Sequence, residues 1–303
     1  MIKERRAQTA EKMSRQSAAF RELIQLMELE ALEVNLFRGV SRDIGTERVF
    51  GGQILAQALL AASRTVDGRF AHSLHGYFLR AGDPGAPVVY SVEHTREGRS
   101  FCSRRVSAIQ HGRPIFTLGA SFQAPEEGLE HQFDMPGVAE PEDVQPLQQL
   151  SGDEFEHLPE NMQRWLDRFG PFEFRPLRGA DPDDCSPQPP FKDLWFKLHG
   201  DLEGDPHPNR APLAYVSDFH LVGTATLPHG ISWTQGNLML ASLDHAMWFH
   251  REFSLDDWLL YSCDSPSAQG GRGLTRGMIY DRRGRMVAST AQEGVVRVRR
   301  KKS

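Results

Sequence analysis

Between Leu213 and Ala225 the apolar residues Leu213, Tyr215, Val216, Phe219, Leu221 and Val222 leave almost no polar face at helical spacing. A helix that is apolar all round is normally enclosed by other elements. One carboxylate, Asp218, interrupts the stretch. It is either an acid buried in the core, which proteins rarely keep without a partner because desolvating an ion is costly, or an acid that caps a turn and reaches solvent through a gap. A second helix of this kind is predicted over 51–64, where Gly51 and Gly52 open a run of Ile, Leu and Ala. Its alanine content implies a close neighbour. Phe20, Leu23, Ile24 and Met27 recur at i, i+3, i+4 and i+7 and predict an amphipathic helix, whereas the alternation over 32–39, ending at Gly39, predicts a strand. Further strands are expected at Ser73–Arg80, Pro87–His94, Phe101–Gln110 and Ile115–Gln123, separated by Gly- and Pro-containing turns.

The second half repeats this pattern. LEVNLFRG at 32–39 resembles FEFRPLRG at 172–179, and helix 51–64 has a counterpart at 212–225, with Gln57 opposite Asp218. SLHGYFLR pairs with LDHAMWFH, setting His75 against His245, and Gly112-Arg113 falls opposite Gly284-Arg285. The offset grows monotonically and the order never breaks. A unit of strand, buried helix and antiparallel strands implies a sheet curled around its helix, and two such units joined edge to edge hide the edges each would expose alone. This predicts an α+β organisation: an arm over 1–16, a first repeat over 17–123, a Pro- and acid-rich linker over 124–170 with a short helix near Asn161–Arg168, a second repeat over 171–298, and a basic tail over 299–303.

The chain has 303 residues, long for one compact core and suited to two domains or one large sheet. A formal net charge of −5 argues against nucleic acid as the partner, since phosphate binding needs a basic face. Three cysteines, Cys102, Cys185 and Cys263, stand far apart without CxxC spacing, so neither a disulfide framework nor a zinc site is indicated, and a cytoplasmic, reducing location is expected. No apolar run is long enough for a signal peptide or a membrane span.

RVFGGQILAQAL, HSLHGYFLRAGDP, SDFHL, LDHAMWFHR, WLLYSCDSPSA and VASTAQEGVVR together resemble the type II acyl-CoA thioesterases, from about Leu26 to Arg297. The resemblance implies a tandem double hotdog, two long central helices wrapped by one extended antiparallel sheet. It further implies hydrolysis of fatty acyl-CoA to free acid and coenzyme A without metal or cofactor, and assembly into homo-oligomers, dimers or tetramers. Its Asp and Gln fall on Asp218 and Gln292, and its Thr position holds Ser242, which keeps the hydroxyl but loses the methyl that restrains the Thr rotamer. The internal repeat sets Gln57, His72 and Ala120 opposite these three, so one catalytic set per chain is expected. The helix start at Gly51-Gly52 offers backbone N–H groups to a carbonyl or phosphate, or simply makes a tight turn. Arg272 and Arg276 either meet the coenzyme's phosphates or belong to a solvated turn.

Other constellations carry less. His245 and His250 with Asp244 suggest a metal site, but residues five apart on a strand face opposite ways and nothing supplies a third ligand, so His245 reads as a core or surface histidine. No G-x-S-x-G elbow occurs, which argues against an α/β-hydrolase. A hotdog hydratase would need a His beside the helix carboxylate, and His220 points elsewhere on a helix. A non-catalytic acyl-CoA sensor has no need of a buried Asp.

Overall fold

The computed structural model describes residues 17–43, 48–146, 170–179, 185–200, 202, 209–231 and 237–298. The expected arm 1–16, the helix at Asn161–Arg168 and the tail 299–303 lie outside them. Helix α1, seen over 17–27, buries Leu23 and Leu26 and exposes Arg21, Glu22 and Gln25, as its periodicity requires. The stretch 32–39 is not one strand. It is a hairpin of β1 (Glu30–Glu33) and β2 (Leu36–Gly39), since Val34-Asn35 forms a turn within the alternation. Helix α2 (Gly51–Ser63) buries ten of its residues, and antiparallel strands β3 (Phe70–Phe78), β4 (Val88–Glu97), β5 (Phe101–Gln110) and β6 (Arg113–Gln123) follow.

Strands β7 (Phe172–Arg178) and β8 (Phe191–Leu198) precede helix α3 (Arg210–Ser217) and a 3-10 segment, Val222–His229. β9 (Leu238–Ser242), β10 (Asp244–Phe249), β11 (Leu259–Gln269), β12 (Arg272–Asp281) and β13 (Met286–Val298) follow. The second central helix is therefore much shorter than the apolar stretch 212–225 suggested. The cause is tertiary: the Tyr261 hydroxyl donates to the Ser217 carbonyl at 3.1 Å, and the next amide, Phe219 N–H, bonds three residues back to Val216. The helix ends there, with Asp218 as its C-cap residue.

Among the described residues, 13 strands form one open antiparallel sheet, with β9 off the main path against β13. The path runs β1-β2-β4-β5-β6-β3-β10-β13-β12-β11-β8-β7, a near-palindrome in which β3 and β10 meet at the centre. At that seam His75 pairs with Ala246, Leu74 with Met247 and Gly76 with His245. A local two-fold through the central pair exchanges Leu74 with His245, so the counterpart of His245 is Leu74, one residue from the match the sequence suggested. His75 accordingly lies exposed while His245 is fully buried. By position in the path, β2 corresponds to β8, which corrects the pairing of 32–39 with 172–179. Gly112 and Gly284, with φ of 71° and 77°, take equivalent left-handed positions in the β5–β6 and β12–β13 turns.

The core lies between the sheet and the two helices. Alanines 56, 58, 61 and 62 of α2 are at most 0% exposed and give the helix a smooth surface against which sheet and α3 pack. A separate cluster of Trp195, Trp258, Leu260, Tyr280 and Met286 lies on the other face of the sheet. The Pro-rich stretch after β6 covers it: Met135 and Val138 pack there, Trp195 Nε1 donates to Ala139 O, and Gln132 donates to Gly284 O and accepts from Met286 N.

On β7, buried Glu173 receives Arg175 at 2.8 Å and His199 Nε2 at 2.7 Å. Burial alone would raise its pKa, but these hydrogen bonds and charges overcome it and hold it down to about 2. Because the folded value is depressed, the stabilisation is complete above the unfolded carboxyl's pKa and is lost as pH falls towards about 2. Glu173→Gln is expected to cost about 3 kcal/mol at neutral pH and to flatten the acid side of the stability curve below pH ~4.5. Urea unfolding at several pH values measures both, and equal slopes for the two proteins would refute the assignment.

Candidate active site

Asp218 is 8% exposed, which settles the alternatives left open by the sequence in favour of a buried acid. Its position at the end of α3 turns the carboxylate towards β9, β10 and β13. Oδ1 accepts the Gln292 side-chain amide at 2.6 Å and the Ser242 hydroxyl at 3.3 Å. Gln292 is fully buried on β13, and its Nε2 also lies 3.1 Å from Ser242 Oγ and 3.1 Å from His245 Nδ1. Three residues widely spaced in sequence are thus gathered at one carboxylate oxygen.

His245 joins them, although its spacing in sequence points only to a core or surface histidine. Burial pushes its pKa down to about 3, so the ring is neutral and its approach to Asp218 Oδ1, 3.8 Å, is not an ion pair. A neutral imidazole has one donor and one acceptor nitrogen. Nδ1 accepts from Gln292, so Nε2 carries the proton and donates to Ser217 Oγ at 3.1 Å, while Ser217 Oγ donates to Ala214 O at 2.9 Å. This chain fixes the Gln292 amide with its nitrogen towards Asp218. It leaves Gln292 Oε1 buried with no hydrogen-bond partner among the described residues. A buried unsatisfied acceptor is uncommon and marks a place where a polar ligand atom would be stabilised.

The N-terminus of α2 closes the site. A Cβ on Gly51 would stand 2.6 Å from Asp218 Oδ2, and one on Gly52 would stand 2.3 Å from the Tyr215 carbonyl. Glycine is needed at both: the first lets the helix start approach the carboxylate, and the second lets α2 and α3 pack in contact. Arg272 and Arg276 are not brought here. They project from the outer face of β12, where Arg272 pairs with Glu293 at 3.0 Å and Arg276 grips Asp264 through two bonds of 2.9 Å, while Thr275 between them is buried on the inner face.

The first half lacks the constellation. In β3 and β6, Ala71 pairs with Phe122 as Ser242 pairs with Gly294, so the counterpart of Ser242 is Ala71 rather than its neighbour His72. Leu74 and Ala120 stand for His245 and Gln292. Gln57 is occupied structurally, donating to Leu26 O at 2.7 Å and accepting from Tyr90 OH at 2.6 Å. Among the described residues no group of three or more His, Cys, Asp or Glu side chains is placed to hold a metal.

The His245 assignment predicts imidazole 15N shifts that stay at those of the neutral, Nε2-protonated ring from pH 8 to pH ~5, since the folded pKa is about 3. Protonation at pH 6 would contradict it.

Family models for the acyl-CoA thioesterase, over residues 188–295, and for the acyl-CoA thioesterase N-terminal domain, over 40–123, match this chain. It is 42% identical over 276 residues to acyl-CoA thioesterase 2 of Haemophilus influenzae, covering 91% of this chain and 96% of that protein. The solved acyl-CoA thioesterase II TesB2 from Mycobacterium marinum is 40% identical with a TM-score of 0.74, covering 90% of this chain and 97% of that one. A hotdog-fold protein from Alicyclobacillus acidocaldarius superposes with a TM-score of 0.73 at 19% identity, covering 90% and 97% of the two chains, which shows the shared fold. In architecture and in sequence over nine-tenths of its length, this chain belongs to the acyl-CoA thioesterase family, with the tandem double hotdog fold.

Proposed function

We propose that this protein hydrolyses fatty acyl-CoA thioesters to free fatty acid and coenzyme A, with Asp218 as the base that activates water. The observation that carries this reading is the buried Asp218 carboxylate, gripped at Oδ1 by Gln292 at 2.6 Å and by Ser242. Water on the Oδ2 side gives one proton to the carboxylate and donates its other hydrogen to Gln292 Oε1, the acceptor without a partner among the described residues. Ser242 holds the carboxylate, and His245 holds the Gln292 amide in the required orientation. The thioester carbonyl lies at the N-terminus of α2, where the N–H groups of Gly51 and Gly52 meet the charge that develops on its oxygen. Water's oxygen bonds to the acyl carbon, the tetrahedral intermediate collapses, and the carbon–sulfur bond breaks. Coenzyme A leaves as a thiolate; with a thiol pKa of about 8.5 it needs little help from an acid.

The first half, read as 17–123, serves as scaffold, and the second, 171–298, carries the base and its partners. The free thiols Cys102, Cys185 and Cys263 suit a reducing compartment, and we assign the chain to the cytoplasm. Among the described residues no helix is long and apolar enough to cross a membrane. Assembly as a homo-oligomer is supported by the outer face of the β3–β10 seam, where Tyr77 is 61% and Trp248 36% exposed. With Arg272 and Arg276 committed to Glu293 and Asp264, a phosphate would have to compete with these pairs.

Thiol release from a panel of acyl-CoAs tests the reading. Asp218→Asn is expected to lower kcat by roughly 10³-fold without unfolding the protein, the scale of a lost general base. Ser242→Thr is expected to preserve turnover, since it retains the hydroxyl. Wild-type rates in the Asn variant, or no release with any chain length, would overturn the proposal.

A further inference from the structure

The local two-fold that relates the halves gives the catalytic site a counterpart. The former is built from the N-terminus of α2, the C-terminal end of α3 and the strand pair Ser242–Gly294. Its counterpart should lie at the N-terminus of α3, the C-terminal part of α2 and the pair Ala71–Phe122. A cavity of about 950 Å³ is found there, lined by Leu59 to Arg64 of α2 in part, Arg210 to Pro212 of α3, Ala71 and Phe122, and covered by α1. None of Asp218, Ser242, His245 and Gln292 lines it.

We propose that this cavity is a second, non-hydrolytic site that binds an aliphatic chain ending in an anionic head. Its size falls within the roughly 300–1,000 Å³ of small-molecule sites. Phe20, Ile24, Met27, Leu59, Leu60 and Phe122 supply an apolar wall on which a chain loses water contact. Four guanidinium groups, Arg21, Arg64, Arg69 and Arg210, line it against two carboxylates, Glu28 and Asp67, so the polar part of the lining is net cationic. Arg210 is 9% exposed; its Nη2 meets the exposed Glu252 at 2.5 Å, and its Nε is buried without a hydrogen-bond partner among the described residues. Arg69 Nε is in the same condition. A carboxylate or phosphate head matches this excess of guanidinium charge in the lining.

The ligand is not hydrolysed there. Ala71, Leu74 and Ala120 replace Ser242, His245 and Gln292, and Gln57 is committed to Tyr90 and Leu26. Binding at this site does not rest on thioester hydrolysis at Asp218, so the two readings fail separately.

Titration calorimetry with myristate below its micelle concentration, and separately with a non-hydrolysable thioether analogue of myristoyl-CoA, tests the proposal on the full chain. Arg210→Gln removes the buried charge, and Ile24→Trp fills the cavity from the peripheral helix α1. Each is expected to weaken binding of myristate at least tenfold, while kcat and KM for thiol release stay as in the wild type. If the thioether binds with two equivalents and loses one in both variants, the chain is supplied by acyl-CoA rather than by the free acid, and the site stands. Myristate and thioether binding unchanged in both variants would overturn it. So would a rise in KM for long-chain acyl-CoA in both, which would make the cavity the acyl tunnel of the catalytic site.

Discussion

A carboxylate removed from water has to be compensated, and the second half of this protein is arranged around that requirement at Asp218. The Gln292 amide donates to it at 2.6 Å. That amide is oriented in turn by a neutral histidine whose own proton is taken by Ser217. Each member is buried, so reversing any one donor would strand a polar group in the core, where an unmade hydrogen bond costs about 1–3 kcal/mol. The chain of donors therefore has one workable direction. It runs from Gln292 to Asp218 on one side and, through His245, to Ser217 and the Ala214 carbonyl on the other, and it leaves Gln292 Oε1 without a partner among the described residues.

The end of α3 matters as much as the hydrogen bonds. Asp218 stands at the last position before the backbone leaves the helix, with φ of −82° and ψ of −11°, and its carboxylate meets Gln292 of β13 from there. The Tyr261 hydroxyl ends it by taking the Ser217 carbonyl, and Thr290 lies 2.8 Å from the same hydroxyl, tying this helix end to β11 and β13, the latter also carrying Gln292. On the opposite side, Gly51 allows the start of α2 to reach Asp218 Oδ2. Removal of any of these neighbours would move the carboxylate relative to the helix N-terminus that faces it.

Much of this was legible in sequence where local periodicity governs. Helix α2 and strands β3 to β6 lie close to where the apolar pattern puts them, and the duplication emerges as a near-palindromic strand order. What escaped depends on distant contacts or on single-residue register. The length of α3 is set by Tyr261, more than forty residues away, as its hydrogen bond to Ser217 shows. His245 reads in sequence as an ordinary histidine, because its spacing ties it to no partner; comparison with its apolar counterpart Leu74 needs the exact register, and the irregularity between Ala71 and Ser73 in β3 obscures it. The outward direction of Arg272 and Arg276 follows from the strict alternation of β12 with buried Thr275 between them, a signal present in the sequence. Asp218, Gln292 and Ser242 were identified together through family resemblance, since nothing in their spacing predicts that they meet.

The two halves share a scaffold and differ in what it holds: one keeps a polar chain at its helix end, and the other keeps alanine, leucine and a cavity. The central claim is that Asp218 acts on water and does not itself attack the acyl carbon. A single turnover with enzyme in excess, in H₂18O, tests by mass spectrometry for an Asp218 acyl anhydride that water opens at the Asp218 carboxyl carbon. The account predicts one 18O in the released fatty acid and none in the peptide containing Asp218; unlabelled acid together with label in that peptide would contradict it.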